Sequence, residues 1–300
     1  LGGAKDPAPL RLGLLALRNA SRRRGRSLAV IALLACGTFL VAAVGANRHD
    51  PTAHAELKSS GTGGFAYYGQ TAFGVAHDLT ASGGQKPFGL TAADLAGAEL
   101  VQMRLREGDD ASCLSLSRAR RPRIQGVRPE ALAGRFSFAA TLDPPPGGDP
   151  WALLNTVASD GAVPAVADEA TIVWAMGKKL GDTLEYAGAA GGTFRVRLVG
   201  SLKNSILQGS LIVSERNFLR LFPSQEGYRV FLLGPSRHGE LVRPLNDGAG
   251  ADLSPIAERL AFAMSDAGLE MASARDRLAA FSAVENAYLS IFLILGALGL

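Results

Sequence analysis

His49, Asp50 and His54 lie close enough in sequence to offer two imidazoles and a carboxylate to a metal ion. No HExxH pattern extends the set, so these residues read as a solvated stretch and no metal site is expected. Gly61-Thr62-Gly63-Gly64 could turn backbone N–H groups toward a phosphate. That use needs a strand before it and a helix after it, and the sequence supplies neither clearly. Asp109-Asp110-Ala111-Ser112-Cys113 presents a thiol, but two neighbouring acids disfavour the thiolate that would be its reactive form. The segment reads instead as a turn. Arg118, Arg120, Arg121 and Arg123 could meet lipid headgroups or a partner, or simply form a solvated loop. GxxxxGK[ST] and GxSxG are both absent. The expectation is therefore a protein with no catalytic residue and no cofactor of its own.

The elements that carry these residues are organised by Ser27–Ala46, SLAVIALLACGTFLVAAVGA, twenty residues without a charge. As a helix it would extend about 30 Å, the hydrocarbon thickness of a bilayer. A soluble helix of that length normally keeps one wet face, and this one has none. A signal peptide carries a shorter apolar region of about 7–15 residues. Here 26 residues come first, so the sequence predicts a transmembrane helix.

Its orientation follows from the flanks. Arg18, Arg22, Arg23, Arg24 and Arg26 precede the span, and no acid lies between Pro7 and Arg26. Such a cluster stays on the cytoplasmic side, which puts residues from Asn47 onward outside. Residues 1–26 hold seven basic groups and one acid, a net +6 that leaves −2 of the chain's +4 for the rest. The basic pI of about 9.3 is thus a juxtamembrane feature facing anionic lipid, and nucleic-acid binding is not expected. Leu10, Leu14 and Leu17 share a helical face beside Arg11 and Arg18. That pattern suits either an interfacial helix with snorkelling arginines or an ordinary amphipathic helix packed on protein.

Three hundred residues allow two folded units or one large one. The chain stops inside an apolar run, as a window on a longer protein would. Cys36 falls in the span and Cys113 far from it, so the two are not expected to pair. Residues 47–286 carry the punctuation of an α+β domain, with a possible boundary between two lobes at the Pro-rich 143–150. Thr91 and Asp94 form an approximate capping box. Val163–Ala167 reads as a strand, and Asp168 as the cap of a helix through Leu180 with Gly181 as its stop. Thr183–Tyr186 and Thr193–Gly200 read as a hairpin, the latter alternating Phe194, Val196 and Leu198 with Arg195 and Arg197. Ser205–Val213 is a further strand, Ser214 caps a short helix, and Tyr228–Leu233 is a strand. Ser254-Pro255 opens another helix. After a strand at Leu269–Ala272, Ser273 caps a last helix that presents Leu278, Phe281 and Tyr288 near one stripe. From Ala287 to Leu300 that helix is apolar on every side, the expected start of a second span.

Residues 10–47, LRLGLLALRNASRRRGRSLAVIALLACGTFLVAAVGAN, resemble the start of the FtsX-like permeases of the MacB/LolC type. VPAVADEATIVWAMGKKLGDTLEY at 163–186 and TFRVRLVGSLKNSILQGSLIVSERNFLRLF at 193–222 add to the resemblance through their order of elements. Residues 59–150 match less clearly. The resemblance implies the membrane subunit of a bacterial ABC transporter, in the cytoplasmic membrane, with an α+β ectodomain inserted between two spans. It also implies a separate cytoplasmic ATPase and a second permease chain or second half of the same chain. A lipoprotein, lipid or protein outside the membrane would be the remaining partner. A two-span sensor receptor has the same topology within this window. Further apolar helices after residue 300 would separate the two.

Overall fold

The computed structural model describes residues 24–46, 52, 54–81, 83–108, 122–143, 148–156, 158, 160–188, 192–236 and 252–283, with single positions 291 and 294. Two units divide the chain: residues 1–50 with 282–300, and residues 51–281.

In the first unit, helix α1 (Arg24–Ala46) runs for 23 residues. Leu28, Val30, Ile31, Leu33, Leu34 and Phe39 are all exposed, so no apolar stripe is gathered against a core. Thr38 Oγ1 returns its hydrogen bond to the Leu34 carbonyl at 2.8 Å, which hides its polarity within the helix. The side chains of Leu40, Val41 and residues 44–46 lie outside the described set. Among the described residues no helix is long and apolar enough to cross a membrane. The span expected at 27–46 is thus not shown by the described residues.

The second unit is built on one ten-stranded mixed sheet, which makes the fold α+β. The strands are β1 (Tyr67–Val75), β2 (Ala98–Arg106), β3 (Arg123–Val127), β4 (Phe138–Thr141) and β5 (Val163–Asp168). They continue with β6 (Thr183–Ala187), β7 (Thr193–Leu202), β8 (Ser210–Ser214), β9 (Tyr228–Pro235) and β10 (Glu270–Ser273). Their order is β10-β1-β9-β2-β3-β8-β5-β7-β4, with β6 on β7. Strand β2 is the joint. Ala98–Met103 pair with β9, and Arg104–Arg106 pair with β3, so one strand hands the sheet from one group of strands to the next.

Local sequence explains most of these elements. All six residues of β5 are buried, as a continuous apolar run between β7 and β8 requires. Helix α2 (Glu215–Leu221) starts where Ser214 Oγ accepts from the Asn217 N–H at 3.4 Å. Its Phe218 lies directly on Gly126 of β3, where any Cβ would sit 2.6 Å from the ring. Only glycine lets the helix pack this low on the sheet. Helix α3 (Ser254–Ala263) buries Ala257 and Leu260 against the β9 side. Trp151, Phe136 and Phe138 meet edge-on in the largest core, and the Trp151 indole N–H donates to the Arg135 carbonyl at 2.9 Å.

Several expectations change. The helix from Asp168 to Leu180 is reduced to residues 169–175, and its Thr171–Ala175 core is a π-type turn. Gly177 takes a left-handed conformation and ends the helix before Gly181 can. Of the apolar face Ile172, Val173, Met176 and Leu180 that the sequence offers this helix, Ile172 and Met176 are buried and Leu180 packs beside them, whereas Val173 is left exposed by the turn. The strand expected over Ser205–Val213 forms only at Ser210–Ser214, because Ser205 starts a turn closed by Gln208 N–H at 3.0 Å. Ser254 does not cap α3: Leu253 holds the N-cap position, and Asp252 Oδ1 just before it accepts from the Ser254 N–H and hydroxyl. Strand β4, before residues 143–150, pairs with β7 after them, so that Pro-rich loop joins parts of one sheet.

Candidate functional site: the exit helix

Residues 274–283 are helical and leave the body from the end of β10. We label this helix α4. Strand β10 holds the sheet edge by pairing Ser273 with Tyr67 and Ala272 with Tyr68. The Asp276 N–H donates to Ser273 Oγ at 3.3 Å, and the Ala274 N–H to the Ala66 carbonyl at 2.8 Å. The cap and the ladder thus share one residue, and the helix cannot swivel about its first turn without breaking strand pairing.

Two side chains secure the next turn. Leu278 is 2% exposed and belongs to the main core with Ala274, Ile206 and Tyr68. Arg277 lies over the Tyr68 ring at 3.9 Å and the Phe281 ring at 5.2 Å, and its Nε donates to the Ile206 carbonyl at 2.9 Å. Burial lowers its pKa from the ordinary arginine value, Tyr68 partly opposes that, and Arg123 adds repulsion. An arginine nonetheless stays charged here, so it is a cation held between rings.

The receiving surface is made by the 203–209 loop and the segment that enters the body. Ile206 N–H donates to the Gly61 carbonyl at 2.9 Å, and a Cβ at Gly61 would collide with the Asn204 carbonyl while touching Leu278. Asn204 itself has a positive φ of 37°. The same loop is anchored from the far side by Asp168, whose carboxylate accepts from the Ser205 N–H at 2.5 Å and the Ala170 N–H at 2.9 Å.

Burial pushes the Asp168 carboxyl above its ordinary pKa, although these two donors pull the other way. The sign follows by linkage. A folded pKa above the unfolded one means ionisation costs stability as pH rises from the unfolded value to the folded one. Asp168→Asn is expected to remove that falling contribution, so the slope of unfolding free energy against pH across the carboxylate range becomes more positive than in the parent. Equal slopes in the two proteins would contradict it.

The residues singled out by sequence fall as follows. Leu278 is buried and Phe281 half-buried beside Arg277; Tyr288 lies outside the described residues. Arg24 and Arg26 are exposed in the first turn of α1, while Arg18, Arg22 and Arg23 lie outside the described residues. His49, Asp50, the 109–113 segment and Arg118, Arg120 and Arg121 are also outside them. His54 stands 3.7 Å from Glu56 on the surface. Among the described residues no group of three or more His, Cys, Asp or Glu side chains is placed to hold a metal. The 61–64 glycine turn is occupied internally: Thr62 Oγ1 bonds to the Ala55 carbonyl and accepts from the Gly64 N–H at 3.1 Å. Arg123 Nε donates to Ser210 Oγ at 2.8 Å, and Cys36 is a free, exposed thiol. Sequence reasoning missed Arg277, because a charged residue in a helix pattern reads as solvated. Its spacing of four from Phe281 was the available signal.

No protein-family model matches the chain, and no curated relative does. Among solved structures, the chain is similar to the periplasmic region of MacB from Actinobacillus actinomycetemcomitans. The identity is 10% and the TM-score 0.35, over 79% of this chain and 99% of that one.

Proposed function

We propose that this chain is a membrane permease subunit of a bacterial ABC transporter, with residues 27–46 and 287–300 in the cytoplasmic membrane and the α+β body outside it. The observation that carries the reading is the exit helix. Its first two turns are bolted to the sheet edge and core through Ser273, Ala274, Arg277 and Leu278. The chain then leads from that root into the apolar run at 287–300. A lever fixed at one end transmits tilt and does not absorb it. The apolar, exposed surface of α1 beyond Arg24 and Arg26, and the sequence resemblance to FtsX-like permeases, support the same reading.

On this reading the body does no chemistry of its own. ATP hydrolysis belongs to a separate cytoplasmic subunit, a second permease chain or half completes the membrane part, and movement is delivered to a lipoprotein, lipid or protein outside. A flexible Gly/Ser insertion beside Ala283 tests it in the assembled transporter. Transport is expected to be lost while ATP hydrolysis by the partner subunit continues. Unchanged transport would overturn the coupling role.

A further inference from the structure

Trp174 is 80% exposed, and Val173 beside it 43%. They crown the Thr171–Ala175 turn, which is held too firmly to fold them away. Ile172 and Met176 are buried beneath it, Thr171 Oγ1 accepts from the Gly209 N–H at 2.8 Å, and the Met176 N–H closes the turn on the Thr171 carbonyl at 3.0 Å. A rigid turn that keeps an indole in water costs the apolar burial a core would supply.

Its position in the body suggests what meets it. Through Thr171 and Asp168 the turn is bonded to the 203–209 loop. That loop also bonds to Gly61 on the entering segment and to Arg277 on the exit helix. The turn therefore flanks the place where the chain enters and leaves the body. Leu57, 49% exposed, and Lys58 lie on the entering segment, and Lys203 is exposed on the loop. Lys178 and Lys179 follow Trp174 and are exposed. Glu56, Glu169 and Asp182 offset part of this charge. Asp182 is engaged with the Lys179 N–H at 3.1 Å, and Glu56 faces His54. Phe73, also exposed, is at the end of β1 remote from the Tyr67–Ser273 pair and does not share this surface.

We propose that the Trp174 turn is an interfacial anchor that rests in the headgroup region of the bilayer, with Lys178 and Lys179 at snorkelling height. The proposal rests on the reading that residues 27–46 and 287–300 span the membrane. Residues 47–50 separate the first span from the body and residues 282–286 the second, a reach of roughly 20 Å at most. That tether keeps the entry and exit surface close to lipid. Tryptophan is the side chain that favours this zone, its ring in the apolar boundary and its N–H toward water, and lysines add attraction to anionic headgroups.

The test uses the full chain reconstituted in vesicles of phosphatidylglycerol and phosphatidylcholine, the latter brominated on its acyl chains so that it quenches nearby indoles. The chain has two tryptophans, and Trp151 is buried in the core and serves as the unquenched background. The expected result is bromolipid quenching in the parent that is lost in Trp174→Phe and reduced in Lys178→Glu/Lys179→Glu. Emission of Trp174 unchanged by bromolipid, in a chain that resists alkaline carbonate extraction, would overturn the anchor and leave the permease reading standing. Extraction of the chain by carbonate would overturn the spans, and the anchor with them.

Discussion

Arg135→Ala is expected to lower the unfolding free energy of the body by about 3–5 kcal/mol, the cost of removing one member of a buried ion pair. The Arg135 side chain is wholly buried, with Nη2 at 2.9 Å from Glu99 and Nη1 donating to the Gly63 carbonyl at 2.6 Å. Its guanidinium lies 4.2 Å from the centre of the Phe65 ring. Alanine would forfeit all three contacts and open a void in the wall that holds Trp151. Arg195 is the control. It is half-exposed and 3.8 Å from Asp160, so Arg195→Ala should cost under about 1 kcal/mol. Denaturant unfolding followed through the buried Trp151 measures both. Arg135→Lys should recover only part of the loss, because an ammonium cannot serve the carboxylate, the carbonyl and the ring together. Midpoints for Arg135→Ala and Arg195→Ala that coincide would contradict the argument.

Such residues mark the boundary of what the amino-acid order revealed. Elements whose signal is local were readable. The Thr91–Asp94 capping box forms, with Thr91 N–H and hydroxyl each 2.7 Å from Asp94. The alternation of Phe194, Val196 and Leu198 with Arg195 and Arg197 forms the β7 strand of the hairpin with β6. Ser273 caps α4 as expected, accepting from the Asp276 N–H. The α+β class followed from these pieces.

What escaped was whatever depends on distant partners. Nothing near Asp168 in sequence shows that its carboxylate, while one oxygen caps the short helix at the Ala170 N–H, also serves Ser205, 37 residues on, with the other. Nothing near residues 143–150 shows that β4 and β7 will pair across them. The exit helix was half readable. Leu278 and Phe281 stood out by apolar spacing, whereas the Tyr68 ring that makes Arg277 a packing residue arrives from a strand some two hundred positions earlier. A buried cation is recognised by what surrounds it, and its surroundings are assembled only by the fold.

The exit helix is where stability and the proposed coupling can be separated. Leu278→Ala should cost about 2–5 kcal/mol, since its side chain fills the core between Gly61 and Ile206 and the strand beneath cannot move in. A loss of that size would weaken transport simply by unfolding the body, so Leu278→Ala alone proves little about coupling. Arg277→Lys is the sharper variant. It keeps the charge but gives up the planar stack on Tyr68 and Phe281 and the fixed bond to the Ile206 carbonyl, at about 1 kcal/mol. The body should stay folded while the root of the lever loosens. If the chain is the permease subunit proposed above, Arg277→Lys is then expected to reduce transport per ATP hydrolysed in the assembly, with little change in the unfolding midpoint. Arg275, exposed on the same helix, supplies the reference: Arg275→Lys should change neither quantity. If Arg277→Lys behaved like Arg275→Lys in transport per ATP, a firm root would not be what couples the body to the membrane.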